Sequence, residues 1–219
     1  MRRLCLIVLA SCLAAAPADG QTRPAAKKTE AAAVNCPSPL GTGVATKRTF
    51  CDVPIGRTPA DGITITIPPH RGPTALTFDL HNRQMYSEDL VRAHRAYARL
   101  TATVGVLTMD NTLVTRAVVQ NEFRTAADLF DRIGGGVGPG GLKAIAPTGI
   151  EPIRVELPAE VTAVCVLGEK LAARRPDADE MFTGPGRPIA LISNGMIEYQ
   201  PVPAPPAKAP AKKTPVRRR

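Results

Sequence analysis

The chain has 219 residues, a formal net charge of +9, 4% aromatic residues and no tryptophan. Between residues 34 and 199 cations and carboxylates are equal in number, so the surplus sits in Arg2, Arg3, Arg23, Lys27, Lys28 and the C-terminal tail. That excludes a basic domain face, and no specific nucleic-acid partner is expected. No apolar run approaches the ~20 residues that cross a bilayer, which excludes a transmembrane helix.

The N-terminus reads Met1-Arg2-Arg3, an apolar run from Leu4 to Ala16, then Ala16-Pro17-Ala18. A basic start, a short apolar core and a small-x-small site make residues 1–20 a cleavable secretory signal, so the protein is expected to be exported, to the periplasm or beyond. Leu9-Ala10-Ser11-Cys12 resembles a lipobox, which makes lipid anchoring through Cys12 the competing route. The shortness of the run before Cys12, and its continuation to Ala16, favour cleavage near Ala18.

Residues 21–34 are Ala-rich and polar without apolar periodicity, and read as a flexible linker. Residues 35–200 have the length of one domain with its own core. Residues 201–219 are rich in Pro, Ala, Lys and Arg and read as a disordered tail favouring polyproline II. Past the signal, three cysteines remain. Cys36 and Cys51 bracket a Pro/Gly loop, and an oxidising compartment would bridge them, a constraint worth about 3 kcal/mol by loop entropy. Cys165, inside Val161-Thr-Ala-Val-Cys-Val-Leu167, reads as a small buried hydrophobe.

Ile63-Thr-Ile-Thr-Ile67 alternates at period two, placing three isoleucines on one face of a strand. Thr74 to His81 alternates again through Leu76 and Phe78. Tyr97 to Leu107 and Thr112 to Phe123 form a hairpin around Asp110-Asn111. Ile153 to Leu157 and Val161 to Leu171 read as a second pair turned by Pro158-Ala-Glu160, the latter strand apolar on both faces as a central strand is. Pro188 to Ser193 and Met196 to Gln200 read as a third, joined by Asn194-Gly195. Ser87 to Tyr97 suits a short helix capped by Ser87, and Thr125 to Arg132 is a weaker helical candidate. The expected fold is all-β: an antiparallel β-sandwich, jelly-roll or galactose-binding-like, with at most one or two short helices.

Four segments follow one another in the manner of a known module: Ala98-Arg-Leu-Thr-Ala-Thr-Val-Gly-Val106, Leu113-Val-Thr-Arg-Ala-Val-Val-Gln120, Glu151-Pro-Ile-Arg-Val-Glu-Leu157 and Val161 to Leu167. Across residues 75–171 this resembles the NPCBM-type, galactose-binding-like β-sandwich modules. The resemblance implies carbohydrate binding at a loop-rimmed face. The chain departs from it in having no tryptophan, three tyrosines and five phenylalanines, where sugar sites usually pack a ring against an aromatic face.

No catalytic or metal motif stands out, and no cofactor is expected. Gly136-Val-Gly-Pro-Gly-Gly141 matches GxGxxG in form, but Pro139 removes a donor and no long helix can follow, so Gly134 to Gly141 reads as a loop that could present itself to a ligand. His70, His81 and His94 lack metal-site spacing. Asp79 and His81 share one strand face, the start of a dyad that still lacks a nucleophile, with Ser87 and Ser193 in turn contexts. Asp79, Asp128, Asp131, Glu151 and Glu156 are oxygen donors without calcium-loop spacing. Arg92, Arg95 and Arg99 would form a basic helical ridge tempered by Glu88 and Asp89. Lys208, Lys212, Lys213, Arg217, Arg218 and Arg219 give the tail its capacity to contact anionic envelope polymers. The expected function is an exported, non-enzymatic binding or interaction module with a glycan or envelope-protein partner. The alternatives are a secreted hydrolase acting on a glycan or cell-wall substrate, with Asp79, His81 and a carboxylate from 151–156 in one pocket, and a structural subunit of an envelope assembly.

Overall fold

The computed structural model describes residues 26–137 and 142–202. In chain order its strands are β1 (Lys28–Ala31), β2 (Ala33–Asn35), β3 (Pro39–Gly43), β4 (Thr49–Pro54), β5 (Ile63–Thr66), β6 (Thr74–Asn82), β7 (Gln84–Tyr86), β8 (Ala98–Thr108), β9 (Leu113–Phe123), β10 (Leu129–Val137), β11 (Lys143–Pro147), β12 (Glu151–Leu157), β13 (Ala163–Arg174), β14 (Asp179–Phe182) and β15 (Pro188–Tyr199). One short helix, α1 (Glu88–Arg92), and single 3-10 turns at Pro59–Asp61 and Ala126–Asp128 complete the described elements.

The strands form two antiparallel sheets, the sandwich expected from the sequence. The smaller runs β2-β5-β13-β8-β9, with β14 also paired to β13. The larger runs β12-β6-β15-β4-β3-β10-β11-β7, with β1 added to β15. Arg83 alone separates β6 from β7, so this path returns to the continuation of its own second strand. The larger sheet therefore curls into a half-barrel.

Period-two alternation builds the core between the sheets. Leu76, Phe78 and Leu80 of β6 face Ile63 and Ile65 of β5 and Val164 and Val166 of β13, all within 2% of full burial. Curling makes a second, smaller core on the opposite face of β6, where Phe50, Ile133, Ala146 and Leu191 meet. Asn82 ties the sheets together by a polar route. It is fully buried, and its Nδ2 lies 3.0 Å from the Leu100 carbonyl, 3.2 Å from the Val119 carbonyl and 2.9 Å from Asn121 Oδ1. Asn82→Ala is expected to lower stability by about 2 kcal/mol through buried acceptors left unpaired. Urea unfolding would read this as a shifted midpoint at constant slope.

Several expectations change. Residues 28–34 are not a linker: β1 pairs with β15 and β2 with β5. These edge strands are mostly exposed and are held by ladder hydrogen bonds rather than a buried face, so they carry no apolar pattern. Residues 21–25 lie outside the described residues. The segments 153–157 and 161–171 are not a hairpin, because β12 pairs with β6 and β13 with β8, and Pro158–Glu160 carries the chain between sheets. Asn194-Gly195 is not a hairpin turn either. β15 runs through it as a bulge, with two residues of β15 (Asn194 and Gly195) opposite one of β6 (Phe78) between the Ser193–Asp79 and Met196–Thr77 pairs, and Asn194 at φ 54°. A residue that accepts positive φ serves a bulge as readily as a tight turn.

Ser87 caps α1 by accepting from the Leu90 amide, but the helix ends at Arg92. Thr125–Arg132 gives one 3-10 turn and then β10. The 97–107/112–123 hairpin stands, with Asn111 at φ 69° in its turn.

Candidate functional site

The sequence points to Asp79 and His81, and the structure gives them neighbours. Both project from the same face of β6, onto which the curled sheet folds, so His81 is fully buried. Its ring stacks on Phe130 at 5.7 Å and meets Phe50 edge-on at 5.4 Å. Ser193 of β15 lies opposite Asp79 in the register, and its Oγ is 3.0 Å from His81 Nε2. His81 Nδ1 is buried without a partner. Burial pushes the imidazole pKa down to about 4, the nearby Asp79 charge opposing and the Arg48 charge assisting. The ring is neutral at physiological pH. A buried N–H without an acceptor is rarer than an under-satisfied acceptor, so we assign the proton to Nε2, donating to Ser193 Oγ.

In this tautomer His81 cannot take the serine proton, and no carboxylate orients its Nδ1, as a nucleophile–base pair requires. Asp79 is engaged elsewhere. Its Oδ2 accepts from Arg48 Nη1 at 2.6 Å and from Asn194 Nδ2 at 3.3 Å, while the Arg48 guanidinium lies 5.6 Å from the Phe130 ring centre. Glu151 and Glu156 are exposed, and Glu156 pairs with Arg154 at 2.8 Å, so neither joins Asp79 and His81.

Three of these residues, Arg48, Ser193 and Asn194, also line a cleft of about 480 Å³. On one flank β15 pairs with β4 up to Ile192 and with β1 from Met196, and the bulge leaves a gap between those partners. Val34, Ile192 and the Cys36–Cys51 disulfide supply apolar walls, and Arg48, Ser193 and Asn194 the polar end. The expected disulfide is present with Cα atoms 5.9 Å apart, stapling the segment after β2 to β4.

Other candidates are dispersed. Cys165 is buried and donates to the Pro59 carbonyl at 3.2 Å, and burial pushes its thiol up to about 11. Asp131 holds the 45–46 turn through both amides and the Thr46 hydroxyl. Burial pushes its carboxyl up, but these bonds together outweigh burial and keep it below the ordinary value. Asp128 caps the second 3-10 turn. No group of three or more His, Cys, Asp or Glu able to hold a metal occurs among the described residues. His70 Nδ1 sits 2.8 Å from the Pro68 carbonyl, and His94 is exposed at φ 55°. Arg92, Arg95 and Arg99 do not share a helix, since Arg99 belongs to β8 and pairs with Glu122. Gly134 to Val137 belong to β10, residues 138–141 lie outside the described residues, and Lys143 opens a strand rather than a phosphate-binding helix. The tail cations Lys208, Lys212, Lys213, Arg217, Arg218 and Arg219 also lie outside them. No helix among the described residues is long and apolar enough to cross a membrane. Ser193, Arg48 and Asn194 were not legible as neighbours of His81, because register rather than spacing brings them there.

No family model matches the chain, and no curated protein matches it. Among solved structures it is similar to the VP2 subviral particle of infectious bursal disease virus, at 12% identity and TM-score 0.28 over 78% of this chain and 32% of that one. It is also similar to the Agl-KA catalytic domain, at 12% identity and TM-score 0.32 over 85% and 30%. A third is the catalytic domain of a GH87 alpha-1,3-glucanase in complex with nigerose, at 12% identity and TM-score 0.22 over 84% and 28%. The chain spans about a third of the length of these structures, and nothing about function is inferred from them.

Proposed function

We propose that this chain is an exported, non-enzymatic binding module of the cell envelope, whose sandwich holds a glycan or envelope partner while the basic tail adds salt-sensitive attachment to anionic polymer. The observation that supports it most is the state of His81. Among the described residues His81 is the imidazole in hydrogen-bond contact with a hydroxyl; it is enclosed by two phenylalanine rings, neutral and proton-donating, so its role is packing. The resemblance of residues 75–171 to galactose-binding-like modules adds weight to a glycan ligand. The test is retention of the full chain, and of a form ending at residue 200, on peptidoglycan and insoluble polysaccharides at low and high salt. Retention that resists salt and survives loss of the tail is expected. Retention lost with either would reduce the chain to a tail-borne tether.

The hydrolase reading keeps one observation in its favour, the buried 3.0 Å contact between Ser193 Oγ and His81 Nε2, made by a serine that also lines a cleft. It requires ester or glycan hydrolysis that Ser193→Ala abolishes. The expected result is no turnover in either form.

A further inference from the structure

At one end of the sandwich the two sheets part around a cavity of about 270 Å³. Its floor is apolar: Leu100 of β8, Phe123 of β9 and Leu171 of β13, each at most 6% exposed. Four arginines from separate parts of the chain line it. Arg83 links β6 to β7, Arg95 follows α1, Arg175 follows β13 and Arg187 precedes β15.

Two of these cations are already balanced. Arg83 Nε lies 2.8 Å from Asp52 Oδ1, and Arg175 pairs with Glu180. The other two are not. Arg95 has no carboxylate partner among the described residues. Arg187 has none there either; its guanidinium lies over the Phe182 ring, 3.5 Å from the centre. No aspartate or glutamate lines the cavity, while Ser87, Gln84 and Tyr97 add neutral polar groups at its wall. In a domain whose cations and carboxylates are equal in number, this is a concave place with a local excess of positive charge. Guanidinium forks recognise planar carboxylates in two-point contacts that ammonium groups do not reproduce. The volume is near the lower bound of the ~300–1,000 Å³ usual for small-molecule sites, room for about one sugar ring with its acid group. The apolar floor suits the C–H face of such a ring.

We propose that this mouth binds an acidic sugar unit, a uronate residue of an envelope or extracellular polysaccharide, with Arg95 and Arg187 gripping its carboxylate. The inference rests on the reading of the chain as an envelope-binding module and names its ligand class.

The experiment titrates the full chain with trigalacturonate and with neutral galactose oligomers by calorimetry, in wild type, Arg95→Gln/Arg187→Gln and Arg187→Lys. Thermal melts of each variant confirm folding, and both side chains lie on the surface of the mouth. Wild type is expected to bind the uronate at least about tenfold tighter than the neutral oligomer, and the double variant to lose about tenfold or more, the usual worth of a charge-assisted contact. Arg187→Lys, which keeps charge and loses the fork, is expected to fall between them. Uronate binding that is unchanged in the double variant and lost when residues 201–219 are removed would overturn the proposal, since the tail would then be the binder. Arginine-dependent binding to phosphatidylglycerol vesicles without uronate binding would overturn it in favour of a lipid headgroup. Absence of uronate binding with continued retention on peptidoglycan would sink this inference alone. Absence of retention on every polymer would sink the module reading as well.

Discussion

Gly41→Ala is expected to destabilise the protein by about 4 kcal/mol, at the upper end of single substitutions. Gly41 has φ 137°, a region that side chains rarely adopt. A Cβ there would sit 1.9 Å from the Gly134 carbonyl oxygen and 3.1 Å from its carbon. These are backbone atoms of β10, which pairs with β3 through Thr42–Gly134 and Gly43–Ile133. Relief therefore means separating the two strands. That seam closes the half-barrel over Phe50, Leu191 and His81, so the strain of about 1–3 kcal/mol is joined by lost packing. Gly72 is the internal control. It has φ 69°, but a Cβ there would meet nothing within 4 Å, so Gly72→Ala costs only the backbone preference, about 1 kcal/mol. Equal urea midpoints for the two variants would refute the β3–β10 seam.

The second large effect is a loss of about 3 kcal/mol between pH 6.5 and pH 4, from burial of His81. Its folded pKa is about 4 against an ordinary 6.5, so in this window the unfolded chain binds the proton and the folded chain does not. The contribution is complete above pH 6.5, declines as the pH falls, and ends near pH 4. Asp52 acts in the opposite sense, because burial outweighs Arg83 and raises its pKa, so protonation favours its folded form. Asp131, held below the ordinary value, loses its contribution only lower, beneath the carboxylate pKa of 3.8. Comparing urea midpoints of wild type with His81→Phe/Ser193→Ala across this range cancels both carboxylates and isolates the imidazole. Parallel curves for the two proteins would show that His81 is not buried neutral.

Much of the sandwich was legible because period-two alternation reports which face of a strand is buried. Ile63, Ile65 and Ile67 are all within 4% of full burial, and Val164 to Leu167 form the covered middle of the central strand β13. Alternation does not report partners. Ile153, Val155 and Leu157 read identically beside β13 or beside β6, and the structure chose β6. Nor does it report a second layer. Asp79 and His81 occupy the polar phase of β6, and alternation alone does not show that this phase is covered. The layer that covers them begins with Phe130 and Ile133 and then runs into Gly134-Gly135-Gly136, a segment with too little pattern to announce a strand. Residues 28–35 were missed because edge strands need backbone pairing more than apolar side chains. The arginine mouth had no signal at all: positions 83, 95, 175 and 187 share no spacing and converge only through the sheet order.

The pairing of β1 with β15 sets Lys28 beside Tyr199, so the earliest and latest described strands to be synthesised are neighbours. A chain emerging from its N-terminus cannot finish the larger sheet until residue 199 has been delivered. Completion of the larger sheet therefore waits on the far end of the described chain. The Cys36–Cys51 bridge, by contrast, closes a link only 15 residues apart in sequence, so the domain's N-terminal edge is fastened once by a local covalent tie and once by a pairing that spans almost the whole described chain.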